Sequence, residues 1–262
     1  MNQILGKRAA FVTAVTLLAL PAFGQGRGGA QAGPRPSPKD AAPMDLTGYW
    51  VSIVTEDWRY RMVTPAKGDY ASVPLNAEGR KVADSWDPAK DEASGNQCKS
   101  YGAAAIMRVP GRLHITWEGD QTLKIETDAG TQTRLLQFAA LQPPAEPSLQ
   151  GFSVAQWDVP AAGRGMGGGA ALRPGQPRAG TLKVVTTHMR PGYLRKNGVP
   201  YSANAVLTEY FDRTNEPNGD SWLIVTTIVN DPLYLQQEFV TSTHFKKQAD
   251  ATGWAPTPCE AR

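Results

Sequence analysis

The sequence predicts an all-β protein, a single antiparallel β-barrel or sandwich with one short helix. Three observations carry this. Residues 112–138, RLHITWEGDQTLKIETDAGTQTRLLQF, alternate apolar and polar side chains in three runs separated by turn residues, the pattern of an antiparallel meander. Runs of the same kind recur as far as residue 247, giving roughly eight to ten short strands, the count of an up-and-down barrel or sandwich. Only residues 76–86 read as a helix, with Leu75, Val82 and Trp86 spaced for one face and Asn76 as its N-cap.

In order, the chain opens with Lys7 and Arg8, an apolar run over residues 9–23 and small residues on either side of Phe23, the layout of a signal peptide spanning residues 1–24. No later segment approaches the ~20 apolar residues of a transmembrane helix, so no membrane insertion is expected. Residues 25–44 are rich in Gly, Pro, Ala and Ser and are expected to form a disordered linker. Residues 45–262 then make one barrel domain, with residues 160–180 as a flexible Gly/Pro-rich insertion that lacks the spacing of a phosphate-cradling loop. A chain of 262 residues, 41% hydrophobic and 19% charged, has an ordinary capacity to form a core. The net charge of +3 is small and scattered, which argues against nucleic acid or an anionic membrane surface as a partner. Cys98 and Cys259 are the only thiols. After export to the periplasm or the exterior, one disulfide between them is the simplest state.

The domain begins with Leu46-Thr47-Gly48-Tyr49-Trp50. Gly48-x-Trp50 resembles the Gly-x-Trp that opens the first strand of lipocalins and related barrels. The resemblance implies a lipocalin-like barrel with Trp50 at its floor; where lipocalins bring an Arg from the last strand to that Trp, this chain offers Lys246 and Lys247. Residues 56–70 then gather Asp57, Trp58, Arg59, Tyr60 and Arg61, a mixture found at ligand mouths and also in salt-bridged loops. The helix follows and is long enough to close one end of a barrel. Residues 87–105 form a long connection that Cys98 pins.

In the meander a hairpin must keep apolar residues opposite apolar ones, which requires a three-residue loop between its first two strands. If the loop is Glu118-Gly119-Asp120, His114 faces Lys124; if it is Gly119-Asp120-Gln121, His114 faces Glu126. That polar row is also what a solvated outer face looks like. Asp128-Ala129-Gly130 supplies the next hairpin loop, three residues long. Strands follow over residues 152–159, 181–190, 203–212, 221–230 and 239–247. Between two of them PGYLRKNGVPYS, residues 191–202, carries Tyr193, Arg195, Lys196 and Tyr201 around an Asn197-Gly198 turn and is the best candidate for a binding loop.

The segments LHITW, TLKIETDAGTQTR, TTHM, GYLRKNGVPYS, LTEYFDR and TIVNDP are similar to those of a family of uncharacterised secreted bacterial β-rich proteins, a likeness that covers most of the chain after the leader and implies a single exported domain. Two kinds of function fit the residues. One is a carrier whose barrel mouth holds a small apolar or aromatic molecule through Trp50, Trp58, Tyr193 and Tyr201, with Arg195 or Lys196 orienting a polar end and no cofactor. The other is a lyase, isomerase or hydrolase. Its catalytic residues would be His188 with Glu209 or Glu126, or it would hold a divalent metal such as zinc on His114, His188 and His244, with water in an open position. His188 and Glu209 each continue an inward apolar row of their strand and are expected to face the mouth together.

Overall fold

Nine strands close into one barrel, and an odd ring cannot alternate direction throughout. The structure is a computed structural model that describes residues 36–159 and 180–262. Its strands are β1 (Gly48–Ile53), β2 (Arg112–Glu118), β3 (Thr122–Thr127), β4 (Gln132–Gln137), β5 (Phe152–Asp158), β6 (Thr181–Thr187), β7 (Gly192–Arg195), β8 (Val199–Tyr201), β9 (Val206–Asn215), β10 (Ser221–Asn230) and β11 (Phe239–Lys247). The ring runs β1-β11-β10-β9-β6-β5-β4-β3-β2 and returns to β1, with β7 and β8 forming a separate hairpin. Eight contacts in the ring are antiparallel and one, β4 with β5, is parallel. The expectation of a purely antiparallel sheet is corrected here. Residues 138–151 carry the chain back along the wall before β5 starts, so β5 runs in the same sense as β4.

The hairpin of β2 and β3 turns through residues 119–121 and sets His114 opposite Glu126, the second of the two registers open from sequence. The next turn differs from expectation. Thr127 pairs with Gln132, so residues 128–131 form a loop of four, with both Gly130 and Thr131 at positive φ. One extra residue in a turn moves every following side chain to the other face. Arg134 and Leu136 therefore point inward, while Leu135 lies exposed outside.

Two apolar clusters fill the barrel and its cap. At one end Leu46, Trp50, Phe211, Leu223 and Phe245 form the floor. At the other, Leu207, Val229 and Phe239 meet the cap residues Leu75, Leu194 and Tyr201. The cap is built from the connections after β1, after β6 and after β10. It holds α1 (Trp58–Arg61), α2 (Ala77–Asp84), α3 (Pro88–Ala93), a 3-10 turn at Gln97–Tyr101 and α4 (Ala103–Ile106). α2 is the helix foreseen, and Asn76 caps it by accepting a hydrogen bond from the Gly79 amide. The other helical segments went unread because each is at most six residues long. Local chemistry still specifies α3: Pro88 occupies its first turn, and the Asp87 carboxylate accepts from the Ala89 and Lys90 amides. α4 is wholly buried and is held by packing.

The compact unit begins at Pro36, inside the stretch expected to be linker. Pro38 accepts a hydrogen bond from the Trp157 indole and Lys39 from residues 36–44 bonds through its amide to the Asp120 carbonyl, so this segment lies against the floor end of the barrel. The expected signal peptide and most of the insertion at residues 160–180 lie outside the described residues. Among the described residues no helix is long and apolar enough to cross a membrane.

Cys98 and Cys259 are bonded. The bridge joins the 3-10 turn to a tail that already holds to the barrel, where the Thr257 amide donates to the Asp128 carbonyl and the Thr131 hydroxyl donates to the Thr257 carbonyl. It closes a loop of 161 residues. In the chain-entropy picture that should stabilise by about 4–5 kcal/mol. Urea unfolding with and without reductant, and of Cys259→Ser, is expected to show this loss as a lower midpoint, with a steeper slope because the released unfolded chain exposes more surface.

Asp158 and Thr181 are paired across β5 and β6, so the two ends of the undescribed segment are held side by side by the barrel itself. Replacing residues 160–179 by a four-residue turn is expected to leave the fold intact and to change stability by no more than about 1–2 kcal/mol, because loop-closure entropy varies slowly with length. Circular dichroism and a thermal melt of the shortened chain check this; an unfolded product would assign the segment a structural role.

Candidate functional site

The residues expected to carry chemistry do not converge. His114 and His244 sit on the outer wall on either flank of β1, opposite Tyr49 and Ile53 respectively, which puts them roughly 13 Å apart along the strand. His114 stacks on Tyr49 with ring centroids 4.1 Å apart, lies 3.2 Å from Glu126 through Nδ1, and is flanked by the Trp254 edge. His244 lies 3.2 Å from Glu56 and 3.1 Å from the Thr55 hydroxyl. His188 is exposed beyond the end of β6. The three-histidine metal site is thus not formed, and among the described residues no group of three His, Cys, Asp or Glu side chains is placed to hold a metal ion. Glu126 pairs with His114 and Lys124 on the same outer wall, away from Glu209.

Nor do His188 and Glu209 meet. Leu182, Val184 and Thr186 point inward as expected, but β6 ends at Thr187 and His188 takes a positive φ of 56°. That turn sends the imidazole to solvent and seats the fully buried Met189 in the interior, where it bridges to Ser148. Glu209 is fully buried and spans the lumen to Arg134. The Arg134 Nη1 donates to Glu209 Oε1 at 3.0 Å and Nη2 to Oε2 at 2.6 Å. Thr186 accepts from Arg134 Nη2 at 3.4 Å and shares a hydrogen bond of 2.7 Å with Ser153. Along each strand this polar level lies between the two apolar clusters: Glu209 between Phe211 and Leu207, Thr227 between Val225 and Val229.

Trp50 closes the floor as a core side chain. Its indole donates to the Leu46 carbonyl, and Lys247 Nζ lies 4.6 Å from its ring centre. Gly48, at φ 99°, makes room for that lysine, because a Cβ there would stand 2.8 Å from Nζ. Nearby Asp45 is partly buried, which opposes ionisation, but hydrogen bonds from Thr47 and the charges of Lys247 and Arg213 outweigh this and hold its carboxyl below the usual range. Trp58, the other tryptophan expected to bind ligand, is 65% exposed on α1.

The binding loop becomes the hairpin β7–β8, packed across the capped end. Gly198 turns it at φ 82° and rests on Trp86, where a Cβ would fall 2.2 Å from the ring. Asn197 anchors the turn by donating to the Ala66 and Asp69 carbonyls. A bulge between Tyr193 and Arg195 breaks the alternation of β7. It separates the tyrosines from the basic residues: Tyr193 and Tyr201 line one depression, Arg195 and Lys196 another, and the two share no lining residue.

The first depression is a cleft of about 310 Å³ walled by Trp86, Tyr193, Tyr201 and Tyr234. At its edge the buried Asp91 accepts from the Tyr193 hydroxyl at 2.6 Å and from Lys99 at 2.7 Å. Burial, together with that bond and the Asp91 charge, pushes the Tyr193 phenol well above its ordinary pKa. It is therefore a proton donor in a hydrogen bond and not a base at neutral pH. Burial raises Tyr201 similarly, and its hydroxyl and the Trp86 indole have no partner among the described residues.

The second depression, of about 30 Å³, is lined by Tyr60, Arg61, Arg108, Arg195 and Lys196. The Arg195 guanidinium lies 4.3 Å from the Tyr60 ring centre and donates through Nη1 to the Ala71 carbonyl. Burial first, and then repulsion from Arg108, lowers its pKa to about 10, so it remains charged at neutral pH. Arg61 is bound by Glu56, by Ser52 and by the Arg108 carbonyl, while Arg108 donates to Asp57 at 2.9 Å.

Sequence reasoning named Tyr193, Tyr201, Arg195 and Lys196 but not Asp91 and Lys99, which belong to the long connection at residues 87–105, nor Arg108 just after it. Trp86 was visible only as a helix-face residue. The acidic cap at Asp87 and the cysteine beside Lys99 were the available signals that this connection is structured. No protein-family model, curated protein or solved structure matches this chain.

Removing one partner of the lumen pair leaves the other charge buried alone. Glu209→Gln or Arg134→Met is therefore expected to destabilise by about 3–5 kcal/mol. The double replacement Arg134→Met/Glu209→Met should recover most of that loss, as read by denaturant midpoints; equal losses for the single and double variants would mean the pair is not coupled.

Proposed function

We propose that this protein is an exported, lipocalin-like carrier that binds a small apolar or aromatic molecule in the cleft between Trp86 and Tyr193. One observation supports this above the rest: the cleft is walled by four aromatic side chains and has buried polar groups at its edge. Its size falls at the lower end of the roughly 300–1,000 Å³ of small-molecule sites, and its make-up suits them. Aromatic walls supply contact area at little cost in side-chain entropy, and the unpartnered Tyr201 hydroxyl and Trp86 indole are the donors left for a ligand acceptor, the Tyr193 proton being held by Asp91. The ligand is thus assigned to the cap over the barrel mouth and not to the lumen, which Arg134, Glu209 and the apolar clusters occupy. Export to the periplasm or beyond is supported by the leader-like residues 1–24 and by a disulfide that suits an oxidising compartment. The enzymatic alternative has weaker support, since His188 points to solvent and Glu209 is sealed against Arg134.

The neutral fluorescent probe N-phenyl-1-naphthylamine tests the cleft. Saturable binding is expected, weakened about tenfold by Tyr193→Ala, the loss of one aromatic contact of ~1.4 kcal/mol. Tyr193→Phe should keep most of the affinity, and Trp58→Ala and His188→Ala should leave it unchanged. Non-saturable binding, or equal affinity in Tyr193→Ala, would remove the cleft as the site.

A further inference from the structure

We propose that the recess lined by Tyr60, Arg108 and Arg195 binds a carboxylate, taking the head of an acid whose apolar body lies toward solvent. This goes beyond the reading of the aromatic cleft and does not rest on it.

The inference starts from a charge balance. Around the recess Glu56 serves Arg61, Asp57 serves Arg108 and Asp69 serves Arg59. Among the described residues no carboxylate lies within ion-pair reach of Arg195 or Lys196. Arg195 is only 4% exposed and Arg108 6%, so water does not replace the missing anion. Three of their nitrogens, Arg108 Nη1 and Arg195 Nε and Nη2, are buried without a hydrogen-bond partner. A folded chain rarely leaves charged donors in that state, because a buried guanidinium without an acceptor is costly.

The orphaned atoms also specify the ligand. Nε and Nη2 form one edge of a guanidinium, and their spacing matches the two oxygens of a carboxylate. Nη1 of Arg108, in the same lining, is a third donor to those oxygens. The remaining Arg195 nitrogen is fixed on Ala71 and the plane rests on Tyr60, so the fork is held in place before any ligand arrives. The surroundings choose between anions: the apolar groups beside the recess give an organic acid a surface that inorganic phosphate cannot use. Beside the basic residues the lining holds Val109, Pro110 and Leu194 together with Thr64 and Ser100, and Val63 stands at the rim. Val63 and the adjacent Met62 are both largely exposed, a surface on which an apolar body can rest.

Isothermal titration of the full mature chain with benzoate, benzamide and inorganic phosphate at fixed ionic strength tests this. Benzoate is expected to bind, benzamide and phosphate to bind at least about tenfold more weakly, and Arg195→Met to abolish the benzoate signal. Arg195→Met should also melt no lower than the wild type, because it removes an uncompensated buried charge. Tyr193→Ala should bind benzoate normally, so that failure of the cleft and failure of this recess are told apart. Equal binding of benzamide, tighter binding of phosphate, or benzoate binding retained by Arg195→Met would overturn the proposal. If Arg195→Met does not fold, the Arg195 Nε–Hε resonance of the wild type decides: a shift on adding benzoate supports the site, and no shift overturns it.

Discussion

The bidentate bridge between Arg134 and Glu209 is the constraint on which the barrel depends. A guanidinium and a carboxylate in the middle of a lumen are tolerable only if each satisfies the other, which requires β4 and β9 to hold one particular register across the interior. That register is set far from the bridge. The four-residue turn at residues 128–131 makes Arg134, and not Thr133, the inward residue of β4. The parallel contact of β4 with β5 sets Ser153 opposite Leu136, and Ser153 joins the layer through its hydrogen bond with Thr186. A slip of one residue at the turn would put Leu135 inside and strand Glu209 without a partner. The polar layer penalises the wrong register more than it stabilises the right one.

The same layer accounts for where binding is possible. A lumen crossed by a salt bridge and filled above and below by apolar side chains has no volume to lend, so the two depressions argued for binding lie outside it, in the cap. There the bulge in β7 decides the chemistry. An unbroken strand would point Tyr193 and Arg195 to one side, producing one mixed pocket; the bulge gives an aromatic cleft and a cationic recess.

Much of this fold was legible in the sequence, and the failures have physical causes. The β2–β3 hairpin could be read because apolar matching leaves few registers, and Asn76 announced α2 because capping is local chemistry. The β3–β4 turn was misread by one residue, since Asp-Ala-Gly suits a three-residue loop and nothing local shows that Thr131 would also adopt positive φ. His188 was misplaced for a related reason: period-two alternation assumes the strand continues, and the competition of Met189 for the interior is a tertiary effect. Arg134 went unnoticed because its meaning lies in Glu209, 75 residues away. Site residues on the loop at 191–202 were visible as residue types, but the bulge that sorts them into two sites has no sequence mark.

The disulfide joins these themes. Cys98 sits in the 3-10 turn between α3 and α4, directly before Lys99, which serves Asp91 in the cleft, and Ser100, which lines the recess. Tyr101 follows, beneath Lys196 at 4.9 Å and against Gly130 of the β3–β4 turn. One short turn therefore touches both depressions and the loop that sets the lumen register. Short helical segments such as these are marginal alone and take their stability from what they pack against. Tying Cys98 to a tail that is itself hydrogen-bonded to Asp128 and Thr131 fixes the turn to the barrel rim, where Tyr101 and Cys259 meet the apolar core. Covalent attachment there lowers the cost of ordering the cap when a ligand arrives, so the bridge acts on binding through preorganisation as well as on the stability of the fold.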